Sequence, residues 1–220
     1  MKPRIAIDGP AGAGKSTVAR AVAKRLGLAY LDTGAMYRAI TVAGLRRKID
    51  FQDQQALAVL AAQADLDVQY NDEGQNILFL DGENVSETIR EPQVSRHVSL
   101  VARCPGVRAV MVQKQKEIGQ RGGVVMDGRD IGTNVMTEAE YKFYLTASLA
   151  ERARRRLAEL LEKGQSLTLE QMKEEIAARD KIDSERECSP LRPADDAIHI
   201  DSTELTIDEV VALIVETVTR

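Results

Sequence analysis

The sequence predicts an α/β fold in which a parallel sheet is covered by helices on both faces. Three observations predict it. Short apolar runs alternate with longer stretches of helical period, the runs are close to continuously apolar, and a glycine-rich turn joins the first run to the first helical stretch.

Each element carries its own signature. The strand-like runs are RIAID (4–8), LAYLD (28–32), GVVMD (123–127), KFYL (142–145) and AIHID (197–201), and most close on a carboxylate or a glycine. In the first helical stretch Val18, Val22 and Leu26 fall four apart. Lys24 and Arg25 occupy its last turn and Gly27 stands just beyond, the pattern of a helix that ends there. Thr206 and Glu209 form a capping-box pair ahead of Val210, Leu213, Ile214 and Val218, which predicts a C-terminal helix. Residues 66–90 break the alternation: β-rich runs are separated by NDEG and by Asp81–Gly82, a strong hairpin signal, so a small antiparallel sheet is inserted there. A second insertion is helical. Residues 148–163 and 168–183 read as a helical pair joined near KGQSLT, with ERARRR (151–156) on the first helix and Thr168 and Gln171 capping the second.

At 220 residues, 44% hydrophobic and 29% charged, the chain suits one large globular domain with small insertions. No run approaches the roughly 18 apolar residues of a membrane span, and MKPRIAIDGP lacks a signal-peptide core. A cytoplasmic protein is expected. The net charge of −4 argues against a general nucleic-acid binder, whose footprint is basic. Cys104 and Cys188 lie far apart and outside any CxxC pattern, so two unpaired thiols are expected rather than a zinc site or a disulfide framework. His97 and His199 stand singly, and His199, inside AIHID, reads as packed rather than catalytic.

GPAGAGKS (9–16) satisfies G-x-x-x-x-G-K-[ST] between a strand pattern and a helix pattern, the context that gives this motif its meaning. Gly9, Pro10, Ala11, Gly12, Ala13, Gly14, Lys15, Ser16 and Thr17 then form a nucleoside-triphosphate loop, whose backbone N–H groups and helix N-terminus face phosphate oxygens. Lys15 is placed to reach the β- and γ-phosphates and the Ser16 hydroxyl to help hold Mg²⁺. No guanine-selecting N-K-x-D follows. A kinase of a phosphate monoester must bring a charge of about −2 up to an anionic triphosphate, which demands cations beyond Lys15. Arg38, Arg90, Arg108, Arg129, Arg152, Arg154, Arg155, Arg156, Arg179 and Arg186 are available, and several follow the carboxyl ends of predicted strands, where open α/β sheets bind ligands. In YLDTGAMYR (30–38) the strand ends at Asp32, Thr33–Gly34 begin a helix able to face a phosphate, and Tyr37 and Arg38 lie in its first turns. In MDGRDIGT (126–133) an apolar strand delivers Asp127, a tight glycine, then Arg129 and Asp130. Asp127 ends a Walker-B-like run and either orients Mg²⁺ through water or caps a loop.

On these residues the chain resembles the bacterial-type cytidylate kinases, from end to end. The resemblance rests on IDGPAGAGKST, LDTGAMYR, an insertion ending near TIR, PGVR (105–108), DGRDIGT and ARDKIDSERECSPL (178–191). Thr33 stands where that family often has Ser, and the hydroxyl is kept. The resemblance implies a nucleoside monophosphate kinase fold: a five-stranded parallel core, an acceptor-binding insertion at about 65–100 and a mobile helical lid at about 150–185. It implies phosphoryl transfer from ATP to CMP or dCMP. Thr33, Tyr37, Arg38 and Arg129 would surround the acceptor phosphate, while Ser99, Arg108 and Asp130 would read the cytosine. Arg179, Asp183 and Arg186 would approach the ribose and phosphates from the lid, with Lys15, Arg129, Arg179 and Arg186 acting on the transferring group. The partners implied are small-molecule substrates alone, with neither nucleic acid nor membrane, for a monomer. Two rivals stay open: a kinase of another small acceptor, which CMP would fail to stimulate, and a nucleotide-binding regulatory module, which would turn over slowly with every acceptor.

Overall fold

The computed structural model describes residues 2–71, 74–162 and 167–220. Parts of the predicted NDEG turn and of the KGQSLT connection, residues 72–73 and 163–166, lie outside the described residues.

Strand β1 (Arg4–Asp8) turns Ile5 and Ile7 to one face of the sheet and Ala6 to the other. Helix α1 (Lys15–Leu26) follows and stops at Gly27, whose left-handed backbone returns its N–H to the last helical carbonyls. Strand β2 (Ala29–Asp32) runs into α2 (Thr33–Arg46), capped by the Asp32 carboxylate, which accepts from Ala35 N. After α3 (Gln54–Gln63) come β3 (Leu66–Tyr70), β4 (Asn76–Leu80) and β5 (Glu83–Asn84), a separate antiparallel sheet. Asp81 and Gly82, both at positive φ (50° and 82°), make the tight turn between β4 and β5 that their sequence predicts.

Helices α4 (Pro92–Arg103) and α5 (Pro105–Gln120) lead to β6 (Val124–Gly128), a π-helical turn over Ile131–Val135 and β7 (Tyr141–Thr146). The helical pair is α6 (Leu149–Leu161) and α7 (Leu169–Glu185), with the predicted Thr168–Gln171 capping box in place. Strand β8 (Ile198–Asp201) and α8 (Ile207–Thr219), capped by the Thr206–Glu209 box, finish the chain. All five predicted core strands form.

They pair in parallel in the order β2-β6-β1-β7-β8. One face carries α1 and α8 over Ile5, Ile7, Val125, Phe143 and Leu145; the other carries α2 to α5 over Ala6, Leu31, Val124 and Met126. The α6–α7 pair has a small core of its own: Ala153, Leu160, Met172 and Ile176. Chain order reverses at β1, which lies between β6 and β7, and the crevice beyond the carboxyl ends of such strands is where open α/β sheets hold ligands.

Two sequence readings are corrected. His199 is exposed, not packed, and lies against the Tyr144 ring with centroids 5.4 Å apart. The reason is the sheet edge: β8 is a terminal strand, and of its residues only Ile200 is buried. Leu213 is 46% exposed, while Val211 takes a place in the core beside Val210 and Ile214. Both thiols are free, Cys104 buried and Cys188 half-buried. Among the described residues no helix is long and apolar enough to cross a membrane.

Candidate active site

The glycine-rich loop leaves the end of β1 and enters α1. Gly9 passes so close to β7 that a Cβ there would sit 2.0 Å from the Leu145 carbonyl oxygen, at a φ of 150° that side chains avoid. Only glycine fits. The Lys15 ammonium is buried and donates to the Pro10 carbonyl oxygen at 2.7 Å, reaching back across the loop. Burial pushes it below the ordinary lysine range and the Arg129 charge pushes it further. Thr17 lies exposed on the first turn of α1.

Two helices from far along the chain brace this loop. Arg152 on α6, 7% exposed, donates to the Ala11 carbonyl at 2.8 Å and to Asp180 at 2.5 Å; Asp180 on α7 in turn accepts from Ala11 N at 3.1 Å. The rest of ERARRR diverges from it. Arg154 is exposed on Glu151, Arg155 shares Glu151 and bonds Ser202, and Arg156 pairs with Glu159.

Facing the loop, β6 delivers Asp127, buried at 4% exposure. Its Oδ2 accepts from the Ser16 hydroxyl at 2.8 Å and its Oδ1 from the Tyr30 hydroxyl at 2.8 Å. It has no ion-pair partner among the described residues. Burial first, then the Asp32 charge, push its carboxyl upward, opposed by Lys15. Ser16 and Asp127 thus offer hard oxygen donors, one of them a buried carboxylate short of positive charge, which suits Mg²⁺.

Asp8, at the end of β1, accepts from Ile131 N at 2.9 Å and Gly132 N at 2.8 Å, pinning the turn after β6 to the loop. Burial raises its carboxyl to about 6 in spite of those two N–H groups. Thr33 turns inward: its hydroxyl donates to the Asp127 carbonyl at 2.6 Å and ties α2 to β6.

The predicted cations then gather. Arg129 pairs with Asp183 at 2.8 Å; burial opposes ionisation of Asp183, but Arg129 and Arg179 outweigh it and hold its carboxyl below the usual range. Arg38 bonds the Ile89 carbonyl and the Ser95 hydroxyl, and burial lowers its guanidinium to about 10. Arg179 has no hydrogen-bond partner for its buried Nε; burial first and Arg129 second lower it to about 9. Arg38, Arg129 and Arg179 repel one another, and Arg156 repels both Arg38 and Arg179. Arg90 is exposed at the end of a 3-10 turn.

Beside them lies a buried ion triad. Asp130 binds Arg108 through Oδ2 and Arg186 through Oδ1 at 3.1 Å, and Oδ2 also accepts from Asn134 at 3.2 Å. Arg108 lies over the Tyr37 ring, 5.6 Å from its centroid, and the Tyr37 hydroxyl and Arg108 Nε are buried without partners. Burial raises the Tyr37 hydroxyl to about 12, against the pull of Arg108. Ser99 is buried on α4, and no hydrogen bond ties it to this cluster among the described residues. Sequence reasoning missed Asp8, Asn134, Tyr30 and Asp180. A carboxylate directly before the loop is a visible signal for Asp8; the others show themselves only through partners remote in the chain.

A phosphate loop at the end of the central strand, with Arg129 and Arg179 near its lysine, defines a P-loop kinase fold. A family model described as Cytidylate kinase matches residues 5–220, and the chain belongs to that family. It is 53% identical over 214 residues to a cytidylate kinase of Bacillus cereus (strain ATCC 10987 / NRS 248), covering 97% of this chain and 95% of that one. It is 54% identical over 207 residues to one from Bacillus thuringiensis (strain Al Hakam), covering 94% and 92%. Among solved structures, the shikimate kinase of Bacteroides thetaiotaomicron superposes with a TM-score of 0.52 at 14% identity, covering 99% of both chains. The shikimate kinase of Acinetobacter baumannii gives a TM-score of 0.50 at 15% identity, covering 100% of this chain and 94% of the other. Those two likenesses concern the fold.

Proposed function

We propose that the chain transfers the γ-phosphoryl group of ATP to CMP or dCMP, giving ADP and CDP or dCDP, with β3–β5 and α4 as the acceptor-binding insertion and α6–α7 as the lid. The observation that carries this is the convergence of Arg129 and Arg179 on Lys15 and of Arg38 on both arginines. Arg129 has Asp183 as its counter-ion, whereas Lys15, Arg38 and Arg179 make no ion pair among the described residues and the buried Arg179 Nε has no partner. Such a cluster is held together best by bound phosphates.

In-line transfer needs positioning and charge neutralisation more than covalent chemistry. Residues 9–17 hold the donor phosphates and Lys15 reaches the group in transfer. Arg38, Arg129 and Tyr37 hold the acceptor phosphate, whose oxygen is already a nucleophile, so no general base is required; the Thr33 hydroxyl, already spent on the Asp127 carbonyl, fixes the start of α2 instead. Arg179, Asp183 and Arg186 close over ribose and phosphates and exclude water, the competing acceptor. Ser16 and Asp127 would hold Mg²⁺, which when bound neutralises donor phosphate charge.

Base choice falls to Asp130, Arg108 and Ser99. A carboxylate offers about four acceptor positions, and Asp130 has three of them filled, by Arg108, Asn134 and Arg186. The fourth suits the amino group of cytosine, whereas the carbonyl of uracil would meet a buried negative charge there. The test is a coupled assay of ADP release over a panel of nucleoside monophosphates. CMP and dCMP are expected to accelerate release most; an equal or greater response to another acceptor, or slow release with all of them, overturns the assignment.

A further inference from the structure

We propose that Tyr30 is a positioning residue of the donor site: its hydroxyl fixes one oxygen of the Asp127 carboxylate and so presents the other to Ser16 and a Mg²⁺-bound nucleotide. The inference rests on the reading above in which Ser16 and Asp127 face Mg²⁺.

The sheet register makes this reach possible. Tyr30 pairs with Val125 and Asp32 with Asp127 across the β2–β6 ladder. Alternation therefore puts Tyr30, Val125 and Asp127 on the face covered by α1, with Asp127 the diagonal neighbour of Tyr30. With strands about 4.8 Å apart and a rise of about 3.3 Å per residue, that diagonal spans about 8 Å, which a tyrosine ring bridges and a shorter side chain does not. The hydroxyl arrives 2.8 Å from Oδ1.

The ring itself cannot swing. It is 2% exposed within the core between sheet and α1, and Arg20 of α1 lies over its face, 5.8 Å from the centroid. The carboxylate is thus gripped from two elements, Oδ1 by β2 through Tyr30 and Oδ2 by α1 through Ser16. Both donors are neutral, so the buried charge is oriented without being cancelled. A guanidinium at the Tyr30 position would have cancelled it. Partners that orient a ligand from behind are worth about 10- to 100-fold in metal affinity.

A buried tyrosine also needs a partner for its hydroxyl merely to remain buried, so the test must separate orientation from packing. Binding of ADP is measured by titration calorimetry in excess Mg²⁺ and in EDTA, for the unmodified protein, Tyr30→Phe and Asp127→Asn, with thermal melting alongside. Tyr30→Phe keeps the ring and is expected to leave ADP affinity in EDTA unchanged while shrinking the Mg²⁺-dependent gain about 10-fold. It should raise KM for MgATP and leave KM for the acceptor alone. Weakened binding with and without Mg²⁺ alike, or a full gain in Tyr30→Phe beside a lost one in Asp127→Asn, overturns the role of Tyr30. A full gain in both variants overturns the Mg²⁺-facing reading of Asp127 itself and takes this inference with it.

Discussion

Replacing Asp130 by Asn keeps the shape of the side chain and removes its charge, and two separable costs are expected, one from its ion pairs and one from its proposed base-reading role. The first is stability. Asp130 is the common anion of Arg108 and Arg186, whose side chains are 4% and 3% exposed against 7% for its own. An asparagine can accept from one guanidinium, but its amide turns N–H groups toward the other, leaving buried positive charge without an anion. Breaking a buried pair in this way costs roughly 3–5 kcal/mol. At 2–4 °C per kcal/mol for a domain of this size, the melting temperature should fall by roughly 6–20 °C. The second cost is selectivity. The amide can donate to the uracil carbonyl that the carboxylate repels, so the ratio of kcat/KM for CMP to that for UMP should narrow. A polar pair that reads a base discriminates by about 1–3 kcal/mol, or roughly 5- to 150-fold. Calorimetric melting reads the first effect, and initial rates of ADP release with CMP and with UMP at a temperature well below the transition read the second. A lowered melting temperature with an unchanged ratio would mean that Asp130 is only the counter-ion of two arginines, and the base-reading assignment would be refuted.

Three further outcomes are expected. Lys15→Met should cut turnover by two or more orders of magnitude while folding is retained, because the ammonium acts on charge developing in transfer and its burial already disfavours it in the free protein; near-normal rates of ADP release would remove the loop from the mechanism. Arg179→Ala and Arg186→Ala should part company: Arg179 makes no ion pair among the described residues, and burial and the Arg129 charge outweigh the pull of Asp183 on it, so kcat falls while the melting temperature holds or rises, whereas Arg186 leaves Asp130 and should lower both. Equal melting losses in the two variants contradict this. Asp8 is raised by burial to about 6 from roughly 3.9 in an unfolded chain. The stability it contributes is therefore full below the unfolded value and lost as the pH rises through about 6. Two units correspond to roughly 3 kcal/mol, so urea melts of wild type and Asp8→Asn should shift in the variant's favour by roughly 2–3 kcal/mol between pH 4 and pH 7. A constant difference across that range rules this account out.

What the sequence determined by itself was local. Gly27, the Thr168–Gln171 and Thr206–Glu209 boxes, the Asp81–Gly82 turn and the loop from Gly9 to Ser16 each act within a few residues, through dihedral preference and caps that need no distant partner. Near-continuous apolar runs likewise announced a parallel sheet, because a strand covered on both faces, as β1 and β6 are, has no polar side to show; β8, at the edge, buries only Ile200. Strand order was another matter. Only the insertion of β6 between β1 and β2 brings Asp127 to Ser16, 111 positions away, and to Tyr30, 97 away, and lets Asp8 hold Gly132 from 124 away. The arginine run at 151–156 has one periodicity and several fates: Arg152 reaches the Ala11 carbonyl, Arg154 meets water. His199 and Leu213 are apolar-context residues left exposed because one lies on an edge strand and the other on the outer side of α8. Periodicity says that a residue has a face; which surface arrives to cover that face, and which charge comes with it, is decided by packing between segments that no local pattern connects.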